Sequence, residues 1–222
     1  YATVPTPEQW DPNQEKAFFD GLKKIHSIRG LEVPIWKSGN IHKFVHFSLI
    51  PSCFMQFTHH RYDDAWFLDQ INQTGWDIVL TALPGTMDQM AEDPHFGLAS
   101  NDSASRRKAL DFMRKICDTV SSLKNRGFNV LALHFHSAPR GGSSFASPSA
   151  LESSIREMLT WNWNGTKLIL EHCDKFVPDK IISKGFLSLE EETEVLNRLK
   201  DSQIKMTINW GRSALEGLSS EE

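Results

Sequence analysis

Two groups of polar residues in this sequence combine side chains that could bind a metal ion or move a proton. His134 and His136 lie two residues apart in VLALHFHSAPR, and Glu171 and His172 follow the apolar run LIL. Two imidazoles at this spacing share one face of a β-strand, so they could hold one metal ion or act as a ligand and an acid or base. A carboxylate at a buried strand end is costly unless it binds a metal ion, a substrate hydroxyl or a cation.

We therefore predict that Glu171, His136 and His172 are catalytic, and that Glu171 and His136 are metal ligands. Alternation along a strand places Glu171 and Cys173 on one face and His172 on the other. The competing interpretation is structural. In that case the glutamate is solvated or paired with an arginine, and the histidines pack in the core or hydrogen-bond to a loop.

A third polar group, NWGRS at residues 209–213, follows the apolar run MTI and could bind substrate. Arg212 could hold a carboxylate or phosphate through its planar guanidinium, and Trp210 could stack on a sugar ring. The alternative is a structural Arg–Glu pair with a core tryptophan. The residues predicted to bind substrate are Glu32, His134, Asn209, Trp210 and Arg212.

These polar groups follow short apolar runs that alternate with amphipathic helices. Strands are predicted at residues 1–7, 28–36, 76–87, 128–135, 166–172 and 205–210, and helices at 7–25, 63–75, 105–127, 147–162 and 188–202. Pro84-Gly85-Thr86 and the polar segment 88–104 are predicted to be loops. Regular alternation of this kind predicts right-handed parallel βα units, whose strand ends meet at one mouth.

The predicted fold class is α/β, a (β/α)8 TIM barrel that is incomplete and has about six βα units. A complete barrel needs about 250 residues, and an open sheet is the alternative. We treat residues 1–222 as one domain that lacks the last two units. Residues 37–61 have no clear periodicity and are predicted to be an insertion, a loop with a short strand or turn. Unpaired sheet edges favour association, so we expect a homo-oligomer or poor solubility.

Composition argues against several classes of partner. The net charge is −4 and no basic stripe occurs, so no nucleic acid is expected. No run approaches the roughly 18 uncharged apolar residues of a membrane span. The loop GGSS lacks the spacing of a phosphate-binding loop, and no nucleotide cofactor is expected. Three cysteines are an odd, sparse set, which indicates a reducing, cytoplasmic location.

Seven segments match a known family in combination. They are, in order, RGLEVP, VLTALPGTM, DPHFGLAS, HSAPR, LEHCD, KGFLSLEEE and INWGRSALE. Together they resemble the family catalogued as domain of unknown function 4862, over most of the chain outside residues 37–61. That family is similar to the xylose-isomerase-like TIM barrels, which include sugar-phosphate isomerases and epimerases.

The resemblance implies a divalent metal ion, Mn, Mg, Zn or Co, bound by carboxylates and a histidine at the barrel mouth. It also implies paired acid and base groups that move a proton next to a carbonyl. Glu171 matches the strand-five glutamate of that pattern. Asn209 stands where many epimerases carry an aspartate ligand, and this departure removes a charge. The later histidine and glutamate ligands would lie on strands seven and eight.

We therefore predict an isomerase- or epimerase-like enzyme that acts on a sugar or polyol by proton transfer, with assistance from a metal ion. The expected partner is a small carbohydrate-like substrate. Two alternatives remain open. One is a metal-dependent hydrolase on the same barrel, and the other is a non-catalytic binding module or degenerate barrel fragment.

Overall fold

The computed structural model describes residues 30–33, 48–51, 78–178, 184–209 and 211–213. Within these ranges six β-strands form one sheet: β1 Gly30–Val33, β2 Ser48–Pro51, β3 Ile78–Thr81, β4 Val130–Phe135, β5 Lys167–His172 and β6 Ile204–Ile208. The helices are α1 Leu83–Glu92, α2 Ser103–Asn125, α3 Pro148–Leu159 and α4 Leu189–Leu199, and a short 3-10 turn spans Gly142–Ser144.

All neighbouring strands in this sheet are parallel and follow one another in sequence order. Helices connect β3 to β4, β4 to β5 and β5 to β6. This is the arrangement of consecutive units in a βα barrel, so the predicted α/β class and parallel alternation are confirmed. Among the described residues, none of the helices combines the length and apolarity needed to cross a membrane.

Helix α2 supplies much of the core beneath the sheet. Its first turn is fixed by Asp102, whose side chain accepts a hydrogen bond from the Ser105 backbone at 2.7 Å. The amphipathic helix predicted at 105–127 is confirmed, and six residues of its apolar face are buried. These residues are Leu110, Met113, Ile116, Cys117, Val120 and Leu123. They pack with buried residues of β4 and β5, so the sheet that carries the polar strand ends rests on a rigid support.

The loop predictions after β3 are wrong in part. The segment Pro84-Gly85-Thr86 is the first turn of α1 rather than a loop, and the helix continues to Glu92. Proline is tolerated there because the first N–H groups of a helix have no partner within the helix. Only the part of the predicted loop 88–104 that follows Glu92 and precedes α2 is non-helical.

The segment 37–61 contains the short strand that we predicted. Strand β2 lies between β1 and β3, and its register pairs Leu49 with both Leu31 and Ile78. Whether the segment is an insertion stays a prediction. The strand predicted at 1–7 and the helices predicted at 7–25 and 63–75 lie outside the described residues.

Gly97 permits a close approach of two backbone segments beneath the strand ends. A Cβ atom at this residue would lie 2.1 Å from the backbone carbon of Ala138 and 2.4 Å from the nitrogen of Pro139. We expect Gly97→Ala to destabilise the fold by about 3 kcal/mol, because backbone rather than a flexible side chain would have to move. Urea unfolding measures this change.

Gly211→Ala is the matched control. A Cβ atom there would meet nothing nearer than the Asn209 side-chain oxygen at 3.9 Å. Equal unfolding free energies for the two variants would show that the contact between the segments around Gly97 and Ala138 is unimportant.

Candidate functional site

Glu171, at the end of β5, lies at the centre of several polar contacts. Its Oε2 is 3.2 Å from Nδ1 of His134 and 3.4 Å from Nε2 of His136. Its Oε1 accepts a hydrogen bond from the Asn209 amide at 3.1 Å, and the Cys173 sulfur lies 4.0 Å from the same oxygen. Polar residues at the carboxyl ends of β4, β5 and β6 therefore meet at one carboxylate.

Strand geometry explains why these particular side chains converge. His134 and His136 point the same way because they lie two residues apart, and so do Glu171 and Cys173. The parallel register pairs Phe135 with Leu170, which brings the ends of β4 and β5 level. These buried neighbours fix the strand ends, so the polar contacts are built on rigid elements.

The electrostatic environment keeps Glu171 ionised. Burial alone would raise the pKa of this carboxyl, but its contacts with His134, His136 and Asn209 outweigh burial and hold the pKa well below its usual range. The side chain retains 12% of its exposure. A carboxylate with a low pKa is suited to binding a cation, and it is a weak base unless the acidity of its substrate is increased.

His136 is buried and has unsatisfied ring nitrogens. Its Nε2 approaches Glu171 without hydrogen-bond alignment, and within the described part of the chain neither ring nitrogen has a hydrogen-bond partner. Leaving such a group unpaired costs about 1–3 kcal/mol. A ligand that satisfies a nitrogen of His136 would therefore be stabilised at this position.

Three side chains offer donor atoms for one metal ion. One atom each from His136, Glu171 and Cys173 lie within 4.8 Å of one another. Burial, together with the negative charges of Glu171 and Asp174, raises the pKa of the Cys173 thiol to about 12. The ionised carboxylate of Glu171 can therefore bind a cation directly, whereas the Cys173 thiol would first have to release a proton.

His172 is not brought together with Glu171. It points to the opposite face of β5, where its Nδ1 lies 2.8 Å from Oε2 of Glu192. The other oxygen of Glu192 accepts a hydrogen bond from the Ser137 hydroxyl. The catalytic role of His172 stays a prediction, and its observed contacts favour a role in holding the strands.

Glu192 is a site-supporting residue that the sequence reasoning missed. The motif Ser188-Leu-Glu-Glu191 is a capping box that starts α4 and so orients Glu192 toward the sheet. The sequence contained a signal for this role. Glu192 lies three residues before Val195, and this spacing places it on the buried face of the helix, where a carboxylate is rare.

The remaining predicted substrate residues are described only in part. The Arg212 backbone donates to the Asn209 side-chain oxygen at 3.4 Å, so these two residues are neighbours at the same mouth. The backbone of Glu32 belongs to β1, where it pairs with Ile50. The Glu32 side chain and the whole of Trp210 lie outside the described residues.

The comparisons with known proteins agree with this architecture. The whole chain, residues 1–222, matches the family defined as Domain of unknown function (DUF4862). The chain belongs to the DUF4862 family. The resemblance inferred from the seven sequence segments is therefore confirmed.

One relative of this DUF4862 chain is the uncharacterized protein STM3670 of Salmonella typhimurium. It is 31% identical over 220 residues, which cover 98% of this chain and 63% of that protein. The chain therefore spans less than two thirds of the length of this relative.

A solved structure with the same fold is D-psicose 3-epimerase, crystallised in the presence of D-fructose. The TM-score is 0.55 at 14% identity, and the match covers 84% of this chain and 65% of that one. At this identity the likeness concerns the fold alone, which is a βα barrel. The predicted barrel type is thus confirmed for the DUF4862 chain.

Proposed function

We propose that this protein is an isomerase- or epimerase-type enzyme that acts on a carbohydrate by moving a proton at a carbon next to a carbonyl. The observation that carries the proposal is the meeting of Glu171, His134, His136 and Asn209 at the ends of neighbouring parallel strands. The fold shared with D-psicose 3-epimerase supports a carbohydrate substrate by analogy.

The side chains differ in the roles that they can perform. Glu171 is the ionised group that accepts a proton or binds a cation, and Asn209 fixes one of its oxygens. The side chain of His134 is 28% exposed, compared with complete burial for His136. Because a substrate can reach His134 more easily, we assign His134 to proton transfer with the substrate and His136 to ligand binding.

A divalent metal ion fits this donor set. His136 and Glu171 would hold it, with Cys173 as a third donor once its thiol has lost a proton. When bound, such an ion polarises a substrate carbonyl and makes the neighbouring C–H more acidic. The more acidic C–H would compensate for the weak basicity of Glu171. The ions to be compared in binding measurements are Mn, Mg, Zn and Co.

A reducing location is part of the same proposal. Cys117 and Cys173 are both buried and form no disulfide. Cys53 lies outside the described residues. Buried free thiols are typical of proteins that work in reducing compartments, which supports the cytoplasm.

Metal stoichiometry and sugar turnover test the proposal together. We expect the chelator-treated chain to bind about one divalent ion per molecule in calorimetric titrations, and then to interconvert isomers within a panel of aldoses and ketoses. We expect His136→Ala to weaken metal binding by about tenfold to a hundredfold.

His95→Ala is the matched control, because His95 is exposed and its ring stacks on Phe145. It should bind the ion as the unchanged chain does. Absence of both stoichiometric metal and turnover in the unchanged chain would contradict the proposal and favour a non-catalytic binding module.

A further inference from the structure

Cationic side chains gather on the loops that follow β4, β5 and β6. Arg140 follows β4, Lys184 lies between β5 and α4, and Arg212 follows β6. In the barrel type assigned above, these loops surround the mouth where substrate enters. Three positive charges at one mouth are a feature that proton transfer on a neutral sugar does not require.

Hydrogen bonds tie these loops to one another and to the residues around Glu171. The Arg140 Nε–H donates to the backbone oxygen of Lys184 at 3.0 Å, and the Lys184 backbone N–H donates to Asp174 at the same distance. Ser213, next to Arg212, donates to the backbone oxygen of Cys173 at 3.4 Å. The cations are thus carried on loops fixed beside the Glu171 contacts.

Two of these cations lack a direct side-chain ion pair in the part of the chain that the structure describes. Neither the Lys184 ammonium nor the Arg212 guanidinium forms an ion pair or a hydrogen bond there. Both side chains belong to residues that are only partly exposed. The Asp174 carboxylate is nearby, but it accepts the backbone N–H of Lys184 rather than its ammonium.

Electrostatics agree with the placement of these loops side by side. Burial lowers the pKa of Lys184 and the positive charges of Arg212 and Arg140 lower it further, while the Asp174 carboxylate acts in the opposite direction. Asp174 offsets these positive charges only in part, and two cations held near each other are stabilised when an anion binds between them.

We propose that Lys184 and Arg212, with Arg140 at their edge, form an oxyanion-binding site beside Glu171, and that the carbohydrate substrate carries a phosphate or carboxylate group. This inference rests on the proposed function for the carbohydrate part of the ligand. Arg212 supplies a planar pair of donors for two oxygens, and Lys184 supplies a point charge. The anionic group would anchor the substrate while its carbonyl carbon reaches Glu171.

Calorimetric titration of the full chain with inorganic phosphate, D-gluconate and neutral D-glucitol tests the site. EDTA is present throughout, so that anions bound to a metal ion do not contribute. We expect phosphate or gluconate to bind, glucitol not to bind, and added NaCl to weaken the binding. Tighter binding of phosphate would indicate a sugar phosphate, and tighter binding of gluconate would indicate a sugar acid.

Lys184→Met and Arg212→Met should each weaken anion binding by about tenfold or more. Lys115→Met removes the same charge from the exposed side of α2 and should change nothing. Arg212→Lys keeps the charge but loses the planar donors, so its anion affinity should lie between that of the unchanged chain and that of Arg212→Met. This variant tests the site even if a methionine variant fails to fold. Anion binding no tighter than glucitol binding, or unchanged binding in folded Lys184→Met and Arg212→Met, would overturn the proposal.

The two proposals fail in different ways. Anion binding that depends on Lys184 and Arg212, without turnover of any sugar, would leave the anion site in place and remove the isomerase assignment. Turnover of a neutral sugar that is unaffected by Lys184→Met and Arg212→Met would retain the isomerase and remove the anion site.

Discussion

Glu171→Gln is expected to lower the turnover number by about 10³-fold or more. Glutamine cannot accept a proton or bind a metal ion as an anion, and general acid–base groups contribute about 10²–10⁴ to rates. The substitution preserves the volume of the side chain and can keep hydrogen bonds to Asn209 and His134. Because part of the favourable charge interaction is lost, we expect the melting temperature to fall by about 2–4 °C without loss of folding.

Steady-state kinetics and thermal unfolding of the same sample separate the two effects. Glu194→Gln is the matched control, since Glu194 is exposed and pairs with Arg198 on α4. Exposed pairs contribute little, so this variant should keep both activity and stability. Full turnover by a folded Glu171→Gln protein would exclude the role assigned to Glu171.

The second large effect is expected on stability, from Glu192→Leu. One buried carboxylate joins Ser137 and His172, which immediately follow His136 and Glu171 in sequence. Glu192 thus connects the ends of β4 and β5 on the face of the sheet opposite to Glu171 and His136. Its removal leaves two buried polar groups without this partner, and we expect a loss of about 3–5 kcal/mol in the free energy of unfolding.

Urea unfolding of Glu192→Leu and Glu192→Gln measures this contribution. Glutamine keeps one acceptor and one donor, so we expect it to recover part of the lost stability. Metal affinity gives a second readout, because misplaced strand ends should weaken binding by His136 and Glu171 even where the protein remains folded. Wild-type stability and metal affinity in Glu192→Leu would show that the buried contacts do not position the site.

The parts of the site that depend on local pattern could be predicted from the sequence. Alternation in β4 and β5 correctly placed His134 and His136 on one face, and Glu171 with Cys173 on one face. Parallel order then required these strand ends to be neighbours. The convergence on Glu171 follows from these two regularities.

Other features depended on contacts that local pattern does not specify. The start of α1 at Leu83 was missed because proline and glycine in Pro84-Gly85 are common to turns and to first helical turns alike. The role of Glu192 depends on partners 55 and 20 residues away. Strand β2 is four residues long and is recognisable chiefly by its pairing with β1 and β3.

The most direct measurement of the central claim is deuterium exchange during turnover in D₂O. If the polar strand ends around Glu171 move a proton at a carbon next to a carbonyl, the metal-loaded chain should introduce deuterium at that carbon of its sugar, detected by NMR. Glu171→Gln should introduce none. Product formed without deuterium at that carbon, or equal incorporation by Glu171→Gln, would contradict the account.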